Sequence, residues 1–235
     1  MSKRKKKQSH AVRAMTAVVL ILLFATGMLF FLRPFIIDRK RINSENQLIQ
    51  MIEQGETEIM GLHLPEIEGE QYEYEDEDML DGMEAFIEDV IEDTEPLEEE
   101  STVVNGYAVI SIPSIELKMA VVKGVDKMSL RCGAGWLPDS APIGAAGNCV
   151  IMGHRMKSYG RHFNRLDELT AGDEINLTVA DGSSFGYTVT GKDVLLPEEV
   201  SAALASYTDG FKLTLVTCTP TGVGSHRLLI YCDQN

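Results

Sequence analysis

The sequence lacks the cysteine patterns that hold metal ions or thiol–disulfide centres. Its four cysteines, at positions 132, 149, 218 and 232, include no CxxC pair, and such closely spaced pairs are typical of zinc and thioredoxin-type sites. Four cysteines in 235 residues are also far fewer than in small domains that depend on disulfides. We therefore expect no metal site and no cofactor. Cys132, Cys149 and Cys232 lie in or beside apolar runs, so we predict that they are buried thiols.

Basic residues are absent from a long part of the chain. Residues 42–100 contain twenty-two acidic side chains and no Lys or Arg, whereas residues 101–235 carry eleven basic and thirteen acidic side chains. The formal net charge of −15 therefore comes mostly from the middle segment. A nucleic-acid-binding protein needs a basic surface against the phosphates. The sequence thus predicts no nucleic-acid partner.

One uncharged apolar run lies near the N-terminus. Residues 14–32 carry no charge and follow a strongly basic tail at residues 1–13. As a helix this run is about 28 Å long, close to the ~30 Å hydrocarbon core of a bilayer. Basic residues before the run favour a cytoplasmic N-terminus. We predict a single-pass anchor in the cell membrane with the rest of the chain outside, and a cleaved signal peptide is the alternative.

The segment that follows, residues 33–104, is predicted to be an acidic extracellular spacer. An imperfect apolar stripe over residues 39–54 suggests one helix in it. Apolar residues also recur at three- and four-residue steps over residues 79–91, which predicts an amphipathic helix. Two interpretations of this second helix stay open. It is part of a solvated spacer, or it docks on the following domain and covers its substrate groove.

From residue 105 onwards the pattern changes to short β-type runs separated by Gly and Pro. Many short strands with few helices indicate an all-β barrel or sandwich over residues 105–235. The predicted strands are Tyr107–Ile112, Met119–Val122, Cys149–Gly153, Glu174–Val179, Gly186–Leu195, Lys212–Thr217 and Arg227–Tyr231. Short helical pieces are predicted at Lys127–Arg131, Arg161–Leu169 and Pro197–Ala205.

Three chemically capable side chains lie at strand ends in this domain. The strand 212–217 delivers Cys218 at its end, and Arg227 begins the next strand. An Arg beside the thiol can stabilise both a thiolate and the oxyanion of a tetrahedral intermediate. The apolar run CVIMG delivers His154, the side chain best suited to transfer protons near neutral pH. The joint pattern, rather than any single residue, indicates a cysteine enzyme.

These motifs resemble those of a known family. TLVTC at 214–218 followed by Arg227 resembles the sortase signature TLxTC…R, and VIMGHR at 150–155 resembles the sortase histidine motif. The similarity runs over about residues 105–232. Residues 219–229 look most like class C, the pilin-polymerising group. The Asp-Pro-aromatic lid motif and the C-terminal hydrophobic anchor common in that class are not found in this sequence.

The resemblance implies a closed eight-stranded β-barrel and a cysteine transpeptidase. Cys218 would attack a Thr–Gly-type bond within an LPxTG-like sorting signal of a surface protein, with His154 as general acid and base and Arg227 at the oxyanion. The thioacyl group would then pass to an amine of a peptidoglycan precursor or of a pilin lysine. We expect further substrate contacts at Thr217, Leu195 and His226.

Two other classes of protein remain as alternatives. A papain-like extracellular cysteine peptidase would have its Cys early, on a helix N-terminus, with its His downstream. Here His154 precedes Cys218 and both follow strands. A non-catalytic extracellular β-barrel would have no evident use for Arg227 beside Cys218. The Asp/Glu pairs of the domain are not spaced as a calcium-binding loop.

Overall fold

The computed structural model describes residues 42–60, 103–156 and 162–235, together with scattered positions between 21 and 39. The chain divides into two compact units, residues 1–43 and residues 44–235. In the first unit the described positions are helical. Within the described ranges, none of the helices combines the length and apolar character that a membrane crossing requires.

Several predicted segments fall outside this description. The basic tail at residues 1–13 and the amphipathic helix at residues 79–91 lie wholly outside the described residues, and the apolar run at residues 14–32 lies mostly outside them. These three assignments stay predictions.

The second unit begins within a helix whose residues 44–53 we call α1. Two 3₁₀ turns, Pro113–Ile115 and Phe163–Glu168, connect parts of its sheet. The remaining helices and strands follow in chain order: β1 Glu58–Met60, β2 Val103–Ile112, β3 Leu117–Lys123, α2 Lys127–Cys132, β4 Ala134–Trp136, β5 Gly147–Met152, β6 Glu174–Val179, β7 Ser184–Leu195, α3 Pro197–Ser206, β8 Phe211–Thr219 and β9 His226–Gln234.

Eight of these strands close into a barrel. Neighbours follow the order β2-β3-β4-β5-β8-β9-β7-β6, and β6 pairs back onto β2. The β3–β4 and β5–β8 pairs are parallel, and the other pairs are antiparallel. β1 pairs only with the first residues of β2 and stands outside the closed ring. The predicted eight-stranded β-barrel with short helices is confirmed.

The interior of the barrel is filled by apolar side chains that alternate with outward-facing residues along each strand. Cys149 and Cys232 belong to this interior, and Cys132 lies in a second cluster outside it. All three are free, buried thiols, as predicted. Burial raises the pKa of Cys132 and of Cys149 to about 12, and it raises the pKa of Cys232 further. None of the three is therefore ionised at neutral pH.

Residues 44–60 differ from the expected spacer. In α1 and β1, Leu48, Ile52 and Ile59 are fully buried. They pack on the outer face of β2 and β3, where Val109 and Val122 contribute to the same cluster. The hydrophobic burial of these side chains attaches the segment to the barrel, so the folded unit begins well before residue 105.

The approach of α1 to β2 is close enough to require a glycine. A Cβ atom added to Gly106 would lie 2.7 Å from Cγ1 of Ile52 and 3.2 Å from the carbonyl oxygen of Glu56. Only a residue without a side chain lets β2 lie this near to the helix. The packing of α1 is thus specific to this position.

If α1 is part of the folded unit, Leu48→Ala should destabilise the whole barrel. We expect the free energy of unfolding to fall by about 2–5 kcal/mol, because a fully buried Leu leaves a cavity. Ile42→Ala serves as the control, since Ile42 is 47% exposed. Urea unfolding followed by circular dichroism measures both variants. Equal unfolding free energies for Leu48→Ala and the wild type would contradict the packing described here.

Candidate active site

Strand pairing places Cys218 directly opposite Arg227. In the antiparallel β8–β9 pair, Cys218 faces Arg227 and Thr219 faces His226. Residues directly opposite in such a pair project on the same face of the sheet. The turn between the two strands therefore brings Cys218 and Arg227 together, although they are nine residues apart in sequence.

The parallel β5–β8 pair brings His154 to the same end of the sheet. Met152 of β5 is the partner of Val216 in β8. His154 follows Met152 by two residues, as Cys218 follows Val216 by two residues. Because parallel strands end at the same edge, His154 and Cys218 both lie at this edge of the barrel.

The glycine before His154 is fastened to β8 by two hydrogen bonds. The N–H of Gly153 donates to the carbonyl oxygen of Val216 at 3.1 Å, and the Thr217 hydroxyl donates to the carbonyl oxygen of Gly153 at 2.7 Å. A Cβ atom on Gly153 would lie 2.8 Å from the ring of Phe163. This packing fixes the backbone from which the His154 side chain projects.

All three predicted catalytic side chains are nearly removed from solvent. Cys218 is 8% exposed, His154 is 9% exposed and Arg227 is 2% exposed. Burial raises the pKa of the Cys218 thiol, while the positive charges of Arg227 and then Arg155 act to lower it. The two guanidinium groups therefore offset part of the cost of forming a thiolate in a buried position.

Only some of the hydrogen-bond donors of the Arg227 guanidinium are used within the described part of the chain. Its Nη1 donates to the carbonyl oxygens of Gly224 at 2.7 Å and of His226 at 3.2 Å. Its Nε and Nη2 are buried and have no hydrogen-bond partner among the described residues. Gly224 also adjoins the thiol, because a Cβ atom added there would lie 4.0 Å from Sγ of Cys218. The guanidinium is thus anchored beside the thiol with two groups available to an anionic oxygen.

Arg155 is a second cation at the site, and it was not among the predicted site residues. Its Nη1 donates to Oγ1 of Thr219 at 2.7 Å, and its Nη2 contacts Oδ1 of Asp167 at 2.8 Å. Thr219 directly follows Cys218, so Arg155 binds the side chain of the residue next to the thiol. Its position directly after His154 in the sequence could have marked Arg155 as a candidate site residue.

A cleft of about 700 Å³ opens beside Thr219. Its lining mixes acidic, basic and apolar side chains, and Arg155 and Asp167 lie at its wall. The other lining residues are Lys192, Asp193, Val194, Thr219, Pro220, Thr221 and Leu228. The cleft adjoins the residue that follows the thiol, so a second molecule could approach Cys218 from this side.

The predicted substrate-contacting residues divide into two groups. Leu195 is half-buried opposite Arg227 at the end of β7, and His226 is half-buried opposite Thr219. Both lie beside the Cys218–Arg227 pair. Thr217, by contrast, is 1% exposed and its hydroxyl donates to Gly153. This hydrogen bond supports the segment that carries His154, and a substrate contact of Thr217 stays a prediction.

The thiol of Cys218 belongs to a buried apolar cluster. Cys218 packs in one cluster with buried residues of β5, β8, β9 and α3, and the half-buried Leu195 packs against it. In the part of the chain that the structure describes, no three His, Cys, Asp or Glu side chains are grouped as ligands for a metal ion.

Comparison with known proteins connects this arrangement to a family. The family described as Sortase domain matches residues 110–235, more than half of the chain. The chain is 24% identical to Sortase A of Bacillus anthracis over 217 residues, covering 92% of this chain and 93% of that protein. It is 29% identical to Sortase D of Bacillus subtilis (strain 168) over 126 residues, covering 52% of this chain and 61% of that protein.

A solved structure extends the likeness to the fold. Sortase C-1 from Actinomyces oris superposes with a TM-score of 0.52 at 30% sequence identity, covering 67% of this chain and 85% of that chain. These similar proteins are named as sortases A, C and D, so they share the family rather than one class. The chain belongs to the sortase family of cysteine transpeptidases.

Proposed function

We propose that this protein cleaves a sorting signal through a thioester on Cys218 and transfers the acyl group to an amine. The observation that carries the proposal is the register of β8 and β9, which sets Cys218 opposite a buried Arg227. Two nitrogen atoms of that guanidinium have no partner among the described residues. A thiol beside a cation with unused donors suits acyl transfer.

In the first step, the Cys218 thiolate attacks the carbonyl carbon of the scissile peptide bond. The carbonyl electron pair moves to oxygen, and Arg227 stabilises the resulting oxyanion. The C–N bond then breaks as the imidazolium of His154 donates its proton to the leaving amine. The products of this step are a thioester on Cys218 and a free amine.

In the second step, the acceptor amine attacks the thioester carbon and loses its proton to His154. Arg227 again stabilises the oxyanion, and the C–S bond breaks to return the Cys218 thiolate. A new peptide or isopeptide bond forms, and no redox change occurs.

The substrates follow from the resemblance in the two motifs. We assign surface proteins with LPxTG-like sorting signals as acyl donors, and a peptidoglycan precursor or a pilin lysine as the amine acceptor. The half-buried Leu195, which packs against the apolar cluster of Cys218, supports binding of the apolar part of such a signal. Leu195 and His226 adjoin the same pair, which supports their assignment as substrate contacts.

The site of action follows from the N-terminal sequence. The uncharged residues 14–32 after the basic residues 1–13 support a single-pass membrane anchor with a cytoplasmic N-terminus. The catalytic unit would then work on the outer face of the membrane, where sorting signals and cell-wall amines are found.

Cys218→Ala should abolish both cleavage and transfer while leaving the barrel folded, because Ala removes the nucleophile and little volume. The assay incubates the protein with an LPxTG-type peptide, with and without a glycine-based amine, and separates products by mass spectrometry. Cys149→Ala is the control, since that thiol lies inside the barrel, and it should lose stability rather than catalytic rate. Turnover by Cys218→Ala would refute the nucleophile, and hydrolysis without transfer by the wild type would indicate a peptidase.

Arg227→Ala should slow formation of the thioester by a factor on the order of 10²–10³, the cost of removing one oxyanion donor in a well-studied protease. Arg227→Lys should remain impaired, because Lys keeps the charge but loses the planar fork of donors. Rapid-quench measurement of the acylation rate tests both variants. Arg165→Lys is the control, because Arg165 forms an ion pair with Glu168. A normal acylation rate in Arg227→Ala would show that Arg227 only supports the fold.

A further inference from the structure

A second histidine, His162, lies buried next to His154. His162 is 5% exposed, and the centroids of the two imidazole rings are 6.5 Å apart with planes at 58°. Two backbone contacts join the segments that carry them. The N–H of Phe163 donates to the carbonyl oxygen of His154 at 3.0 Å, and Arg155 forms an isolated β-bridge with His162.

Two features of His162 destabilise the folded state. Its backbone has φ 47° and ψ −139°, a region that residues with a side chain rarely occupy. Neither of its ring nitrogens has a hydrogen-bond partner among the described residues. A buried imidazole without hydrogen bonds destabilises the folded state. Stability therefore does not explain why a histidine stands here.

A carboxylate from the N-terminal helix approaches the same ring. Oε1 of Glu45 in α1 lies 3.5 Å from Nε2 of His162. This contact is not a hydrogen bond, but the two atoms lie within the distance of an ion pair. The Glu45 side chain is 29% exposed and the His162 side chain is 3% exposed. Solvent therefore screens this contact only in part.

We propose that His162 is a positioning residue for His154, itself oriented by Glu45, so that helix α1 completes the active site. The proposal rests on the proposed function of His154 as the proton-transfer group. It gives α1 a part in the reaction in addition to the packing of Leu48 and Ile52 on the barrel.

The geometry indicates how His162 would act. At a centroid separation of 6.5 Å the ring nitrogens of the two histidines are beyond hydrogen-bond distance. The influence on His154 is therefore exerted by packing of the two rings and not by a direct hydrogen bond between them. The contact between Nε2 and Glu45 favours one orientation of the His162 ring, and the ring in turn limits the rotamers open to His154.

Two substitutions test the proposal. Glu45→Gln keeps the shape of the side chain and removes its charge. His162→Phe keeps an aromatic ring and removes both buried nitrogens. Glu53→Gln is the matched control, because Glu53 lies on the same helix and pairs with Lys118 at 2.7 Å on the surface.

We expect Glu45→Gln and His162→Phe each to lower kcat roughly tenfold with KM unchanged, the lower end of the effect of partners that orient metal-binding histidines. The double variant should fall no further than His162→Phe alone, because the two residues act through one contact. Glu53→Gln should match the wild type. Melting temperatures measured in parallel show whether a change in kcat reflects loss of fold. Wild-type kcat in both variants, or a loss that merely follows unfolding, would overturn the proposal.

An NMR measurement separates this proposal from the proposed function. In protein labelled with ¹³C-histidine, the Cε1–H resonance of His154 should shift in Glu45→Gln and in His162→Phe but not in Glu53→Gln. This readout needs no substrate, so it holds even if the wild type fails to transfer a sorting peptide. An unchanged His154 resonance in both variants would overturn the positioning role by itself.

Discussion

The buried guanidinium of Arg227 beside the Cys218 thiol is the interaction on which this site depends. A cation that is 2% exposed has lost nearly all of its hydration. Only its Nη1 is compensated, by the carbonyl oxygens of Gly224 and His226, while Nε and Nη2 have no partner in the described part of the chain. Its field also opposes the rise that burial imposes on the pKa of Cys218. The desolvation cost is thus concentrated at the point where negative charge would form.

The strand pairing of the barrel keeps Cys218 opposite Arg227. A slip of one residue between β8 and β9 would turn one of the two side chains to the opposite face, and pairing of β8 with β5 on its other side resists such a slip. The same β5–β8 pairing delivers His154 to the edge that holds Cys218. Hydrogen bonds from Gly153 to Val216 and from Thr217 to Gly153 then fix that segment. The arrangement is built on strands rather than on mobile loops.

The strands that are long enough to show alternation were predictable from the sequence, and so was the position of His154, Cys218 and Arg227 at strand ends. Strands β1 and β4 were not predictable, because three residues carry no readable period. Residues 44–60 were predicted as spacer, since the apolar stripe of α1 is understood only once the outer face of β2 and β3 is known. Arg155 and His162 were missed because their contacts, to Thr219, Asp167 and Glu45, join residues far apart in sequence.

The pH dependence of Cys218 alkylation by iodoacetamide, compared between the wild type and Arg227→Ala, tests the central claim most directly. Modified peptides identified by mass spectrometry separate Cys218 from the buried thiols, whose pKa values of about 12 or above keep them unreactive. Arg227 favours the thiolate, so its removal should raise the apparent pKa of Cys218 and slow alkylation at neutral pH. An apparent pKa that is unchanged or lower in Arg227→Ala would contradict the account.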